Sequence, residues 1–138
     1  MKSTNTAQLE KANAAIVERG DADAIGDYFS PSYKVHTTGN DIKGGHALLR
    51  QVVALYQKAF TGITTTLDIL AEQKDRVAWQ RTIRAMHRGA FKGFPATNRE
   101  LVWREMGVSR FTDGLIVEEW VITDLAEQLL LARKSLKR

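Results

Sequence analysis

The sequence predicts an α+β domain on three observations. Helical periodicity is confined to the N-terminal part of the chain and to its extreme C-terminus. Between them lie long segments rich in Val, Ile, Trp, Thr and Phe, namely VAWQRTIRAMHRG (77–89), ELVWREMGVSRF (100–111) and LIVEEWVITD (115–124). The last two are joined by Thr112-Asp113-Gly114-Leu115, and Asp-Gly between such runs is a strong signal for a two-residue hairpin. Helices segregated from meandering strands give a curved antiparallel sheet, wrapped by the N-terminal helices, with a pocket on its concave side.

Taken in order, Ala7 to Arg19 reads as a helix, with Thr4, Asn5 or Thr6 as N-cap and Gly20 at its stop. Asp21 caps a second, short helix over Ala22 to Phe29, which turns Ile25, Tyr28 and Phe29 inward before Ser30-Pro31 ends it. Tyr33 to His36 is a short extended piece, followed by a polar loop through Gly39, Asn40 and Asp41. From Gly45 to Phe60 the spacing of Leu49, Val52, Val53, Tyr56, Ala59 and Phe60 is helical. Gly62 breaks it, Ile63 to Glu72 alternates as the first long strand, and Lys74-Asp75 turns into the next. Phe91 to Asn98 is a loop punctuated by Gly93 and Pro95, and a closing helix follows Asp124 to about Leu136. With no repeat, linker or low-complexity segment, residues 1–138 read as a single domain.

The hairpin fixes which residues share a face. With a tight turn, Trp103 faces Asp124, Glu105 faces Ile122, Gly107 faces Trp120 and Ser109 faces Glu118, because side chains alternate along a strand. Val102, Arg104, Met106, Val108 and Arg110 then share the other side with Val117, Glu119, Val121 and Thr123. In this register Asp124 sits on an aromatic wall, which favours a carboxyl suited to general acid/base work. Both faces of these strands are apolar, unlike a sheet with one wet face. A second copy of the chain is the expected cover for the face carrying Val102, Met106, Val108, Val117 and Val121, giving a homodimer.

Composition excludes several classes. The net charge of +4 resides in Arg133, Lys134, Lys137 and Arg138, which leave 16 basic and 16 acidic residues elsewhere. A short basic tail ending a helix suits the negative end of its dipole, and no basic and aromatic stripe accompanies it, so no nucleic-acid partner is expected. There is no cysteine, which excludes thiolate chemistry and disulfides. No apolar run approaches membrane-spanning length and MKSTNTAQLEK is not of signal-peptide type, so a cytoplasmic protein without a membrane partner is expected. Histidines at 36, 46 and 87 lack metal-ligand spacing, and there is no Gly-rich phosphate loop.

GDADAIGDYFSPSYKVH (20–36), the Gly44 entry to the third helix, HRGAFKGFPATNRELVW (87–103) and SRFTDGLIVEEWVITDLAEQLL (109–130) resemble the SnoaL-like polyketide cyclase family of the nuclear-transport-factor-2-like superfamily. The resemblance covers almost the whole chain. It implies a cone-shaped α+β barrel around a deep apolar cavity, commonly dimeric, and an intramolecular aldol closure without a cofactor. The family's catalytic acid/base, an Asp ending the last long strand, matches Asp124, and two histidines match His87 and His36. Glu105 departs from the pattern, standing where small residues are common.

The expected reaction is enolisation of a hydrophobic carbonyl compound. Asp124 takes a proton, and His87 stabilises the enolate oxygen or returns the proton. His36, Trp79, Trp103, Glu105 and Trp120 are expected to line the pocket with Tyr33, Tyr56 and Phe29 from the covering elements. Plainer readings stand beside these. Asp124 precedes Leu125-Ala126-Glu127 and fits a capping box, and His87 on the face of Val77, Trp79, Ile83 and Ala85 fits a hydrogen-bonded core residue. A non-catalytic pocket protein for the same kind of ligand is the alternative outside catalysis. The resemblance also admits isomerases, dehydratases and epoxide hydrolases; the last need further polar groups to hold a water, and the sequence does not place such a set.

Overall fold

The computed structural model describes residues 2–136, with side chains up to Arg133. Lys137, Arg138 and the side chain of Lys134, on which the basic tail depends, lie outside the described residues. Ser3, rather than Thr4, Asn5 or Thr6, caps the first helix by accepting the Thr6 N–H at 3.0 Å. Helix α1 (Thr4–Ala12) then widens into a π-helical stretch, Asn13–Glu18. Gly20, at φ +64°, closes it in the left-handed conformation that glycine adopts without strain. Asp21 accepts from the Asp23 N–H and starts a 3-10 turn (Ala22–Ala24) that runs into α2 (Ile25–Tyr28). The chain continues as β1 (Phe29–Thr37), β2 (Asn40–Lys43), α3 (Gly45–Ala59), β3 (Phe60–Gln73), β4 (Arg76–His87), β5 (Glu100–Thr112), β6 (Leu115–Thr123) and α4 (Leu125–Leu136). The polar loop expected at 39–41 is thus mostly strand: Asn40 pairs back on Thr37 across a two-residue turn.

One curved, unclosed sheet of six strands carries the fold, in the order β2-β1-β6-β5-β4-β3. It is mixed rather than wholly antiparallel, because β1 runs parallel to β6, with Lys34 beside Glu118 and His36 beside Trp120. The helices cover one face. Leu9, Ala12, Ile16, Ile25, Leu49 and Val53 pack there on Val77, Trp79, Phe111 and Ile116 of the strands. A second buried cluster lies toward the other end of the same strands, where Phe60, Ile83, Phe91, Leu101 and Trp103 meet Leu125 and Leu129 of α4.

The β5–β6 hairpin departs from the expected register by one residue. Asp113 and Gly114 both have positive φ (52° and 79°), as a tight primed turn requires, and Thr112 pairs with Leu115 and Phe111 with Ile116. Beyond the turn the pairing slips: Arg110 faces Glu118, Ser109 faces Glu119 and Gly107 faces Val121. Val117 is the extra residue of a bulge in β6, and a one-residue slip sends every later side chain of that strand to the opposite face. Glu119 and Val121 therefore point toward the helices, and Glu118, Trp120 and Ile122 point away from them.

Candidate functional site

Four strands converge on a buried polar strip beneath the helices. Alternation along β4 turns Val77, Trp79, Arg81 and Ile83 inward, and along β5 Trp103, Glu105, Gly107 and Ser109. The bulge adds Glu119 from β6, and β1 adds Tyr33. Glu119 accepts from the Tyr33 hydroxyl at 2.7 Å through Oε1 and from the Ser109 hydroxyl at 2.5 Å through Oε2. The indole Nε1–H of Trp79 donates to Ser109 Oγ at 2.9 Å. Beside this group the Arg81 guanidinium donates to Glu105 Oε1 (Nε at 3.1 Å, a terminal nitrogen at 2.5 Å), reaches Asn13 Oδ1 at 3.1 Å, and lies 4.6 Å over the Trp79 ring. Asn13 is delivered by the π-helical stretch and also donates to Thr65 of β3 at 2.9 Å.

The electrostatics follow from this burial. Desolvation pushes the Glu119 carboxyl above the usual carboxylate range, against the opposing pull of the Ser109 and Tyr33 hydroxyls and of Arg81. Burial next to Glu119 holds the Tyr33 phenol well above its ordinary value. Tyr56, which reaches in from α3 against Trp103, Phe60 and Phe91, is raised as well, by burial and then by the charge of Glu105. Arg81 and Glu105 pair with one another, whereas both oxygens of Glu119 are held by neutral hydroxyls. Among the described residues, no three or more His, Cys, Asp or Glu side chains are grouped to hold a metal ion.

The residues expected at the site divide into three groups. Tyr33, Trp79, Glu105, Trp103 and Tyr56 all lie on the helix-covered face, Tyr33 and Trp79 in the first cluster with Phe29 edge-on to Tyr33 at 5.1 Å, and Trp103 and Tyr56 in the second. His36 and Trp120 lie on the opposite face, which corrects the pairing of Trp120 with Trp103. The His36 ring stacks on the Trp120 indole at 5.1 Å, and Arg76 sits 4.9 Å over the same indole. Asp124 and His87 sit at strand ends. Asp124 Oδ1 accepts the backbone N–H of Arg104 at 2.7 Å, its Oδ2 takes the Gln128 side chain at 3.2 Å, and its carbonyl accepts the Gln128 N–H in the first turn of α4. The carboxylate thus extends the β5–β6 ladder by one rung, and the expected aromatic wall is absent because Trp120 has turned away. His87 is fully buried against Phe60, and its Nδ1 accepts the Thr97 N–H at 3.2 Å. Desolvation lowers its pKa, opposed by the backbone at Gly89, so a neutral imidazole pins the loop from 88 to 99.

Glu119, Ser109, Arg81 and Asn13 were not among the candidates expected from the sequence. The signal available for Glu119 was the doublet Glu118-Glu119 inside an apolar strand, since adjacent residues face opposite sides and one of the two must turn inward. The interior is correspondingly less apolar than a purely hydrophobic cavity. Two clefts open at the surface: one of about 460 Å³ over Tyr33, Lys34, Gly44 and Arg110, and one of about 370 Å³ over His36, Met106, Val108, Trp120 and Ile122.

The fold and this site can be set beside known proteins. AclR, a candidate hydroxylase from Streptomyces galilaeus, is 28% identical and superposes with a TM-score of 0.80 over 94% of this chain and 81% of its own. A candidate polyketide cyclase from Acidithiobacillus ferrooxidans, 22% identical, reaches a TM-score of 0.86 over 97% of both chains. IdmH from Streptomyces antibioticus, another candidate polyketide cyclase, gives 0.79 at 24% identity over 96% of this chain and 99% of its own. No curated protein matches the sequence. The family described as SnoaL-like polyketide cyclase matches residues 7–130, and the chain belongs to that family.

Proposed function

We propose that the protein is a cofactor-independent acid/base enzyme of polyketide-cyclase type, acting on an uncharged hydrophobic carbonyl compound, with Glu119 as the proton acceptor. The observation that carries this reading is a buried carboxyl with a raised pKa, held by two hydroxyls and flanked by a balanced Arg81–Glu105 pair. Burial raises the basicity of this carboxyl, which suits it to take a proton as enolisation requires. Glu119 removes the proton from the carbon beside the substrate carbonyl, and the C–H electron pair moves onto that oxygen as an enolate. The Tyr33 and Ser109 protons already go to the carboxylate, so the Arg81 guanidinium beside it, with N–H groups beyond those given to Glu105 and Asn13, is the donor for the developing charge. The enolate carbon then bonds to a second carbonyl carbon of the same molecule. The resulting alkoxide recovers the proton from Glu119, so the closure balances without any co-reactant.

The family resemblance offers Asp124 with His87 as the rival proton pair, and isosteric substitutions separate the two. Turnover of enolisable polyketide mimics should fall at least ~100-fold in Glu119→Gln, the scale of losing a positioned acid/base. Asp124→Asn should keep most of its rate and lose stability instead. The reverse outcome assigns the chemistry to Asp124. Ligand binding without turnover in the parent protein, across ketones and epoxides, makes it a non-catalytic binder. A second reading is favoured by Asn13, Arg81 and Tyr33, which are the kind of polar groups an epoxide hydrolase needs to hold a water; incorporation of labelled water oxygen into an opened epoxide distinguishes it.

A further inference from the structure

We infer that Trp79 and Ser109 are positioning residues that turn Glu119's neighbouring hydroxyl toward it as a donor, so that the carboxyl meets substrate as a proton acceptor. This rests on the role given to Glu119 above. The reasoning is one of donor and acceptor capacity. An indole N–H can only donate. It donates to Ser109 Oγ at 2.9 Å, which takes one of that hydroxyl's two lone pairs and keeps the serine proton from pointing at the indole. Ser109 has one proton of its own, and Glu119 Oε2 stands 2.5 Å away to receive it. The order Trp79 to Ser109 to Glu119 is therefore set from its indole end. Tyr33 supplies the other carboxyl oxygen in the same sense, at 2.7 Å.

Burial makes the ordering hold. Trp79, Ser109, Tyr33 and Glu119 are each at least nine-tenths buried, so water does not offer the serine a different partner. The indole is itself seated. It crosses Gly107, where an added Cβ would come within 2.6 Å of its Cζ2, and Arg81 lies over its ring. Without the indole N–H, the Ser109 proton is free to turn to the side the indole held, and Oγ then faces Glu119 as an acceptor. The titratable and charged groups facing Glu119 are Tyr33 from β1, Arg81 from β4 and Glu105 from β5, and none of them is altered by that change.

The test is a pH titration of the Glu119 side-chain carboxyl by ¹³C NMR in the full-length protein, its resonance assigned with Glu119→Gln. Ser109→Ala and Trp79→Phe should each raise the midpoint by roughly one to two pH units, the worth of a hydrogen bond to a charged group. Ser109→Thr, which keeps a hydroxyl, should restore it. If Trp79→Phe does not fold, benzothienylalanine at position 79 keeps the indole shape without the N–H and takes its place. A rise in Ser109→Ala with none on loss of the indole N–H overturns the inference, as does no rise in either. The titration needs no substrate. Midpoints that move as expected in a protein without turnover leave the positioning intact and defeat the acid/base reading.

Discussion

Two adjacent glutamates in β6 show how strongly a side chain's surroundings decide its chemistry. Glu119 is drawn inward and its pKa rises, whereas Glu118 faces the open side of the sheet. Burial alone would raise Glu118, but hydrogen bonds from His36 and Arg110, with the charges of Lys34 and Arg110, bring it down to about 2. His36 is raised in return, first by its hydrogen bond to Asp41 and then by Glu118, both at 2.6 Å. The signs give a pH window. A histidine raised on folding contributes its stability in full below its ordinary value of 6.5, and loses it as pH climbs through the raised value. A carboxyl lowered on folding contributes above its ordinary 4.5 and fades as pH falls toward 2. The stability gap between the parent and His36→Gln should therefore be widest between the ordinary carboxyl value of 4.5 and the ordinary histidine value of 6.5, and narrow as pH climbs through the raised histidine value, as read by urea denaturation at each pH. A gap unchanged across that range would mean that stacking on Trp120, not charge, is what His36 supplies.

At the scale of elements, the four long strands and their turns were legible because alternation and Asp-Gly carry a mechanism in the residues themselves, whereas the short, polar β2 read as loop. The bulge was not. Val117 is chemically like its neighbours, and an unpaired residue leaves no trace in composition, yet it moved Glu119 inside and Trp120 outside. One β4–β5 cross-strand row offered a hint that only the structure interprets: Gly107 stands opposite Trp79, and glycine inside a strand often marks a close approach. Here the approach is double, since an added Cβ would meet both the Trp120 carbonyl and the Trp79 ring at 2.6 Å. Gly107→Ala should cost roughly 1–3 kcal/mol, typical of overpacking, in chemical denaturation. It should also weaken the Trp79–Ser109 contact, seen as a changed indole N–H shift. An alanine variant as stable as the parent would show that β5 and β6 separate freely at this point. The expected face of Asp124 changed for the same reason as the register: it was deduced from a turn whose count the bulge changes.

At the scale of the whole molecule, the open face of the sheet remains to be paired with a function. Met106 is 44% exposed and Ile122 58% exposed, flanking the cleft that holds Trp120 and Val108. A homodimer through this face is the expected assembly, with Trp120 and Ile122 taking the places first given to Val117 and Val121. Met106→Glu and Ile122→Glu should each shift sedimentation from dimer to monomer at micromolar concentration, whereas a parent that sediments as a monomer removes the idea. The strand order also bears on how the chain is made. β1 lies between β2 and β6, so its long-range partner is the last strand to leave the ribosome. Until then β1 and β2 form a lone hairpin, which is marginal in water. Loop-closure entropy must be met before the parallel pairing returns anything, so synthesis can run ahead of folding for most of the chain. During that interval the nascent β1 edge is open to strands of neighbouring chains, which makes crowded polysomes a setting for misassembly.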